Sequence, residues 1–192
     1  MSGLFEKRVY CIHEAVGAAE LHESYRITDE TGKELLGEAE ERSCIGNSIA
    51  KAFFDKSWLP VTVEVKDASG NRLLELNGAG WRPYAKIVVK NAEGAAIAVL
   101  NEAGCAVKPR LDVSAPDGSS LGTVRGDLLG RTFSFEDTSG GRLARIEHLW
   151  GGLARELMTT ADDYRIDIAG DLAKAPLVLA ATIAIDLIWH ES

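Results

Sequence analysis

Three polar residues share one face of an otherwise apolar C-terminal segment. Only Thr182 and Asp186 interrupt the apolar run from Pro176 to Trp189, and His190 follows it. Spacings of four residues place all three on one helix face. They could form a polar relay inside the protein. Alternatively, Thr182 bonds the backbone four residues back, and Asp186 caps loop amides or pairs with a basic residue. A buried carboxylate must be paired or protonated, which favours the second, structural interpretation.

A second pattern places basic and aromatic side chains along one predicted strand, with apolar side chains on its opposite face. This stripe consists of Arg82, Tyr84, Lys86 and Lys90. Such a stripe could hold a phosphate or a lipid headgroup. It could equally be solubilising charge on a barrel exterior, where lysines also discourage edge pairing. The sequence favours this second interpretation, although the stripe stands out in an acidic chain.

No catalytic motif accompanies these patterns. The sequence contains no G-x-S-x-G, no H-x-x-x-H pair among its four histidines, no phosphate-binding P-loop and no dinucleotide-binding glycine motif. The three cysteines, Cys11, Cys44 and Cys105, lack metal-ligand spacing and are interpreted as reduced thiols. We therefore expect a protein that is not an enzyme and that uses neither a cofactor nor a metal.

Composition limits the classes of partner. The 192 residues suit one domain spanning the chain, with a formal net charge of −8. This charge opposes non-specific binding to nucleic acid or to anionic membranes, so that either would need a local basic patch. The N-terminus is not followed by an apolar signal core, which predicts a cytoplasmic protein.

The body of the chain repeats one local pattern, in which an alternating strand, a short turn and another strand follow each other. Asp or Asn opens such a turn by bonding nearby backbone, and Gly supplies the positive φ that closes it. Alternation on both sides gives each hairpin one buried face and one wet face. The five predicted turns are 29–32, 67–70, 91–94, 115–118 and 137–140.

These elements predict a closed barrel. The five hairpins provide ten strands, and the segments 8–13 and 163–168 bring the number to about twelve. A helix that is apolar all round must be enclosed, and its run is short for an ordinary membrane span. We therefore predict a mainly β fold, a closed antiparallel barrel around a hydrophobic C-terminal helix at about residues 174–190.

The C-terminal third contains a series of spaced elements, namely Trp150-Gly151, Arg155-Glu156, Thr159 to Tyr164, and Ile185-Asp186. In this order they resemble the phospholipid scramblase and LURP-one-related families of the tubby C-terminal-like superfamily. With the upstream hairpins, the resemblance extends over most of the chain from about Leu21. It implies the same architecture, a barrel of about a dozen strands around a central C-terminal helix.

The calcium-binding segment of scramblases is poorly matched. Its first acidic position is occupied by Thr160, and Arg165 introduces a positive charge beside Asp162 and Asp163. A calcium loop needs several convergent oxygens and a glycine at its sharp turn. We therefore expect no metal here.

The resemblance also implies a function, namely a binding or adaptor role at anionic phospholipid or phosphoinositide membrane surfaces. Two alternatives remain. Transbilayer lipid scrambling is one, although the single candidate span is short and carries Asp186. A hydrophobic-ligand carrier is the other, and it fails if the helix occupies the lumen.

Overall fold

The computed structural model describes residues 3–14, 24–42, 60–78, 85–103, 108–149 and 163–189. Within these ranges the chain forms twelve strands, two short 3-10 turns and one α-helix. The elements are β1 Val9–Glu14, β2 Ser24–Thr28, β3 Leu35–Glu41, β4 Val61–Asp67, β5 Arg72–Gly78, β6 Lys86–Asn91, β7 Ala96–Glu102, β8 Arg110–Ser114, β9 Ser120–Gly126, β10 Thr132–Glu136, β11 Arg142–Leu149, β12 Asp163–Ile168 and α1 Ala175–Trp189. Each predicted strand has its counterpart here.

The strands form one closed antiparallel barrel. Neighbours in the sequence are neighbours in the barrel, and β1 pairs with β12 to complete the ring. In that closing pair, Val9 lies opposite Asp167 and His13 lies opposite Asp163. Closure removes the exposed edges at which strands would otherwise aggregate. The predicted fold class, a closed barrel of about twelve strands with a C-terminal helix, is therefore confirmed.

Helix α1 runs through the lumen from one end of the barrel to the other. Just before it, the N–H of Gly170 donates to the carbonyl of Leu143 at 3.0 Å, at the end where the five predicted hairpin turns lie. We call this the lower end. At the upper end, the ring of Trp189 stacks on Phe133, with centroids 5.8 Å apart. The last turn of the helix therefore reaches the upper end.

Every side of α1 faces the barrel wall. All residues from Leu177 to Leu187 are buried, and they form one core cluster with the inward-facing strand residues. The segment Leu172–Trp189 is long and apolar enough, by length and composition, to cross a membrane, with mean hydropathy 1.7. In this structure 61% of that segment is buried. The helix serves as the core of the barrel.

The turns form as their residue types require. After β4, Asp67 Oδ1 accepts hydrogen bonds from the N–H groups of Ser69 and Asn71, each at 2.9 Å. Gly70 has φ +83°, a conformation that glycine adopts without steric cost. In the turn between β6 and β7, the side-chain Oδ1 of Asn91 likewise accepts a hydrogen bond from the N–H of Ala95 at 2.9 Å.

Each of these five hairpins also contains a β-bulge at an apolar residue. Between β4 and β5, Val65 lies opposite Leu74 while Lys66 lies opposite Arg72, which leaves Leu73 as the extra residue. These apolar side chains join or contact the core near the lower end of the barrel. The bulged residues are Leu36, Leu73, Ile97, Leu121 and Leu143.

Candidate functional site

The buried carboxylate of Asp186 lies between two tyrosines. The hydroxyl of Tyr25 donates to Asp186 Oδ2 at 2.6 Å, and that of Tyr164 donates to Oδ1 at 2.6 Å. Tyr25 and Tyr164 are the second residues of β2 and β12, the strands on either side of β1. Inward alternation from each strand start aims both phenols at the same point of the helix.

Charge-assisted O–H···O⁻ bonds of this length satisfy a carboxylate that water cannot reach. The sequence led us to expect loop amides or a basic residue beside Asp186. Among the described residues the structure places two phenols there, and the ring of His148 stacks on Tyr164 with centroids 5.0 Å apart. Tyrosine suits this position because its ring adds apolar contact area while its hydroxyl donates.

The predicted polar helix face also includes Thr182 and His190. The hydroxyl of Thr182 donates to the carbonyl of Val178, four residues earlier, at 3.0 Å. This is the contact on which the structural interpretation relies. His190 lies outside the described residues.

The predicted basic-aromatic stripe falls partly in the described chain. Arg82 and Tyr84 lie outside the described residues, and Lys86 and Lys90 stand on the outer face of β6. Lys86 is exposed, whereas the Nζ of Lys90 lies 3.0 Å from Glu75 Oε1. Hydrogen bonds from Asn77 and then from Lys90 hold the pKa of the Glu75 carboxyl below its usual value. Lys90 is therefore engaged within the barrel wall, and Lys86 is available to a ligand.

A denser group of cations lies near the upper end of β8 and β9. Arg110 and Arg125 are directly opposite each other across these strands. We call these two arginines, with Lys108 and Arg131, the basic corner. All four side chains are exposed. Arg110 pairs with Asp112 at 2.8 Å, and Arg125 pairs with Glu136.

Two exposed leucines project beside the basic corner. Asp127 and Gly130 form the turn between β9 and β10, at the upper end, and Leu128 and Leu129 occupy its central positions. These leucines are 67% and 68% exposed. The N–H of Gly126 donates to the carbonyl of Pro109 at 2.8 Å, which ties this turn to the start of β8. Apolar and cationic side chains are thus neighbours on one surface.

On the barrel wall, Asp163, His13 and Thr28 follow one another in the acid–base–hydroxyl order of a catalytic triad, but the resemblance goes no further. His13 Nδ1 lies 2.8 Å from Asp163 Oδ1, and His13 Nε2 lies 3.4 Å from Thr28 Oγ1. However, Thr28 is buried, and its hydroxyl also approaches the carbonyls of Cys11 and Asp29. A nucleophile needs to reach its substrate and a close general base. We assign these residues no catalytic role.

Metal-ligating side chains do not converge in the described part of the chain. No group of three or more His, Cys, Asp or Glu residues that could hold an ion occurs there. Asp163, from the segment matched to the scramblase calcium loop, instead contacts His13. Asp162 lies outside the described residues.

The sequence contained a signal for the leucine turn that the search for functional residues missed. Asp127 to Gly130 repeats the Asp-x-x-Gly pattern of other turns but carries two leucines in the middle. Turn centres are normally polar or small, so this pair was a detectable exception. No local signal revealed Tyr25 and Tyr164, because nothing near either tyrosine indicates a distant carboxylate.

Comparisons with known proteins identify the family. The Scramblase family model matches residues 7–192, and the chain belongs to this family. The predicted resemblance to the scramblase families is confirmed. The X-ray structure of an Arabidopsis thaliana protein is similar at a TM-score of 0.49 and 12% sequence identity, covering 92% of this chain and 91% of that one. No curated protein matches the sequence.

Family membership gives the function at a coarse level. The chain is a scramblase-related protein, and the Scramblase family is not a typical enzyme family. The ligand has to be inferred from the surface of the barrel.

Proposed function

We propose that this protein is a non-catalytic, cytoplasmic member of the Scramblase family that binds anionic phospholipid headgroups as a peripheral membrane protein. The observation that carries the proposal is the basic corner, in which Arg110 lies directly opposite Arg125. Like charges opposite each other destabilise a sheet. Asp112 and Glu136 pair with these arginines and offset part of that repulsion, and an anionic headgroup would engage the same guanidinium groups together with Lys108.

Neighbouring lysines extend the positive surface. Lys108 precedes Arg110 on the same outer face, and Lys86 stands on β6, two strands away. Neither lysine forms an ion pair with a described residue. A basic residue near an anionic membrane contributes about 1 kcal/mol of binding free energy. A few such residues therefore give weak, salt-sensitive binding in a chain whose net charge is −8.

The alternative functions have less support. A hydrophobic-ligand carrier needs a lumen, and α1 occupies that of this barrel. Scrambling through a single membrane-spanning helix would require α1 to leave the wall that encloses it. Recovery of the full chain only as an integral membrane protein would favour scrambling over peripheral binding.

The test is co-sedimentation of the full chain with vesicles. We expect binding to vesicles of phosphatidylserine and phosphatidylcholine at low salt, weak binding to phosphatidylcholine alone, and loss of binding as salt rises, because screening shortens the reach of charges. The variant Lys108→Ser with Arg110→Ser should bind at least about tenfold more weakly, since about 1 kcal/mol per cation adds up over two cations.

A charge-matched control separates a local site from overall charge. Lys33→Ser with Arg142→Ser also removes two exposed cations, but from the lower end of the barrel. This control should bind like the unmodified protein. Equal weakening of both variants, or no binding of the unmodified protein to anionic vesicles, would refute the proposed site.

The stripe predicted from the sequence is the second candidate surface. The variant Arg82→Ser, Lys86→Ser and Lys90→Ser belongs in the same assay. We expect a smaller loss than at the basic corner, because Lys86 and Lys90 lie on β6, two strands away from β8, where the proposed site is centred. A larger loss would move the site to the stripe.

A further inference from the structure

We propose that Leu128 and Leu129 form a hydrophobic anchor that inserts into the interface of an anionic phospholipid bilayer. The inference rests on the proposed headgroup binding and adds the part of the molecule that enters the membrane. Both side chains are about two-thirds exposed, at 67% and 68%. Another exposed large apolar side chain in the described chain, Leu149, is 37% exposed and also lies near the upper end.

The geometry of the turn does not require leucine. The corresponding central positions of the other turns carry polar or small residues or proline. A turn of this kind therefore closes without apolar side chains, so the turn geometry does not account for the leucine pair. The corresponding central pairs are Glu30-Thr31, Ala68-Ser69, Ala92-Glu93, Pro116-Asp117 and Thr138-Ser139.

Hydrogen bonds within the turn hold its backbone, as they do in the turns at Asp67 and Asp137. Asp127 Oδ1 accepts from the N–H groups of Leu129 and Arg131 at 3.1 and 2.8 Å, and its carbonyl accepts from that of Gly130 at 3.2 Å. Unsatisfied backbone groups are costly at membrane depth. With these donors already satisfied, the leucines can enter the interface while the turn keeps its conformation.

The neighbouring cations identify the occupant. Arg125 and Arg131 flank the turn in sequence, Arg110 begins β8 beside it, and Lys108 lies just before β8. Asp127 in the turn and the ion-pair partners Asp112 and Glu136 offset part of this charge, and Lys108 forms no ion pair with a described residue. Apolar side chains next to Lys and Arg match a membrane interface, where acyl chains lie just below anionic headgroups. Charge complementarity therefore favours an anionic bilayer over a neutral apolar partner.

The experiment measures vesicle binding of Leu128→Ser with Leu129→Ser across a range of salt concentrations, with melting temperature as the check on folding. We expect binding at least about tenfold weaker at every salt concentration, because burying one exposed leucine is worth roughly a tenfold change in equilibrium constant. The slope of log affinity against log salt should stay unchanged. In Lys108→Ser with Arg110→Ser, that slope should become shallower.

A transplanted leucine pair is the matched control. Adding Ala68→Leu and Ser69→Leu to the serine variant places two leucines in a lower-end turn, away from the basic corner. This control should stay as weak as the serine variant, and restored binding would overturn the anchor. If the serine variant binds like the unmodified protein, the anchor is refuted while headgroup binding stands. If the unmodified protein fails to bind anionic vesicles, both proposals are refuted.

Discussion

The carboxylate of Asp186 is placed where a charge without partners would be costly. It is 3% exposed and is reached by two phenols that lie 161 and 22 residues away in sequence. A buried group of this kind strongly penalises any arrangement in which its partners are missing. Asp186 therefore helps to define how far α1 extends through the barrel and how it is rotated.

Removing either hydroxyl tests this role. Tyr25→Phe and Tyr164→Phe should each lower the free energy of unfolding by about 1–3 kcal/mol, the range for losing a hydrogen bond to a buried charged group. Urea denaturation measures the loss. In a double-mutant cycle the two effects should be non-additive, because both phenols share one carboxylate.

Tyr10→Phe is the matched control. Its hydroxyl is buried and, in the described part of the chain, bonds no side chain, with only the backbone of Lys7 close to it. Its removal should change stability by less than the other two substitutions. A loss at Tyr10 as large as at Tyr25 would mean that the phenols stabilise the core by packing alone.

At the scale of elements, the lower-end turns depend on ionised side chains. Hydrogen bonds from Asn71, its side chain first, lower the pKa of the Asp67 carboxyl. The side-chain and backbone donors of Ser139 and Gly141 lower the pKa of Asp137. Both groups accept these bonds more strongly as carboxylates than as protonated carboxyl groups.

Stability should therefore fall on acidification. Because the folded-state pKa values are depressed, the unfolded chain binds more protons just below the usual range of aspartate. The stabilisation is present above about pH 4 and is lost as pH falls through the lower folded values. Urea unfolding at a series of pH values should show a smaller acid loss in Asp67→Asn with Asp137→Asn than in the unmodified protein.

The turn at Asn91 provides the reverse substitution. It already uses a neutral side chain as acceptor, with a 2.9 Å bond from Ala95. Asn91→Asp should steepen the acid dependence. Identical acid profiles for all three proteins would show that the turn carboxylates do not contribute to it.

At the scale of the whole molecule, stability depends on how closely helix α1 fits the barrel. Ala180, Ala181 and Ala184 are fully buried in α1, and small side chains let the helix approach the wall closely. Ala184→Leu should overpack the lumen and cost about 1–3 kcal/mol or more of unfolding free energy. Thermal or urea unfolding measures it.

Ala173→Leu is the control for residue type. Ala173 is exposed just before α1, so the added side chain should leave stability almost unchanged. Equal tolerance of leucine at both positions would contradict a close-packed lumen.

The sequence was sufficient for whatever depends on neighbouring residues. The turn at Asp67 and Gly70, the alternation along β4 and β5, and the apolar run of α1 each arise from contacts within a few positions. Enclosure of the helix also followed, since a segment that is apolar on every side must be buried. For this reason the strands, the barrel and the family resemblance could all be predicted.

Only the tertiary structure decided which distant residues meet. The pairing of β1 with β12, the two phenols at Asp186 and the opposition of Arg110 to Arg125 depend on register around the whole ring. The exposure of Leu128 and Leu129 likewise depends on how the surrounding strands and turns are arranged. Register is set by all strands together, and shifting one strand by one residue reverses the faces of its side chains. A residue's own neighbours in sequence therefore cannot specify these contacts.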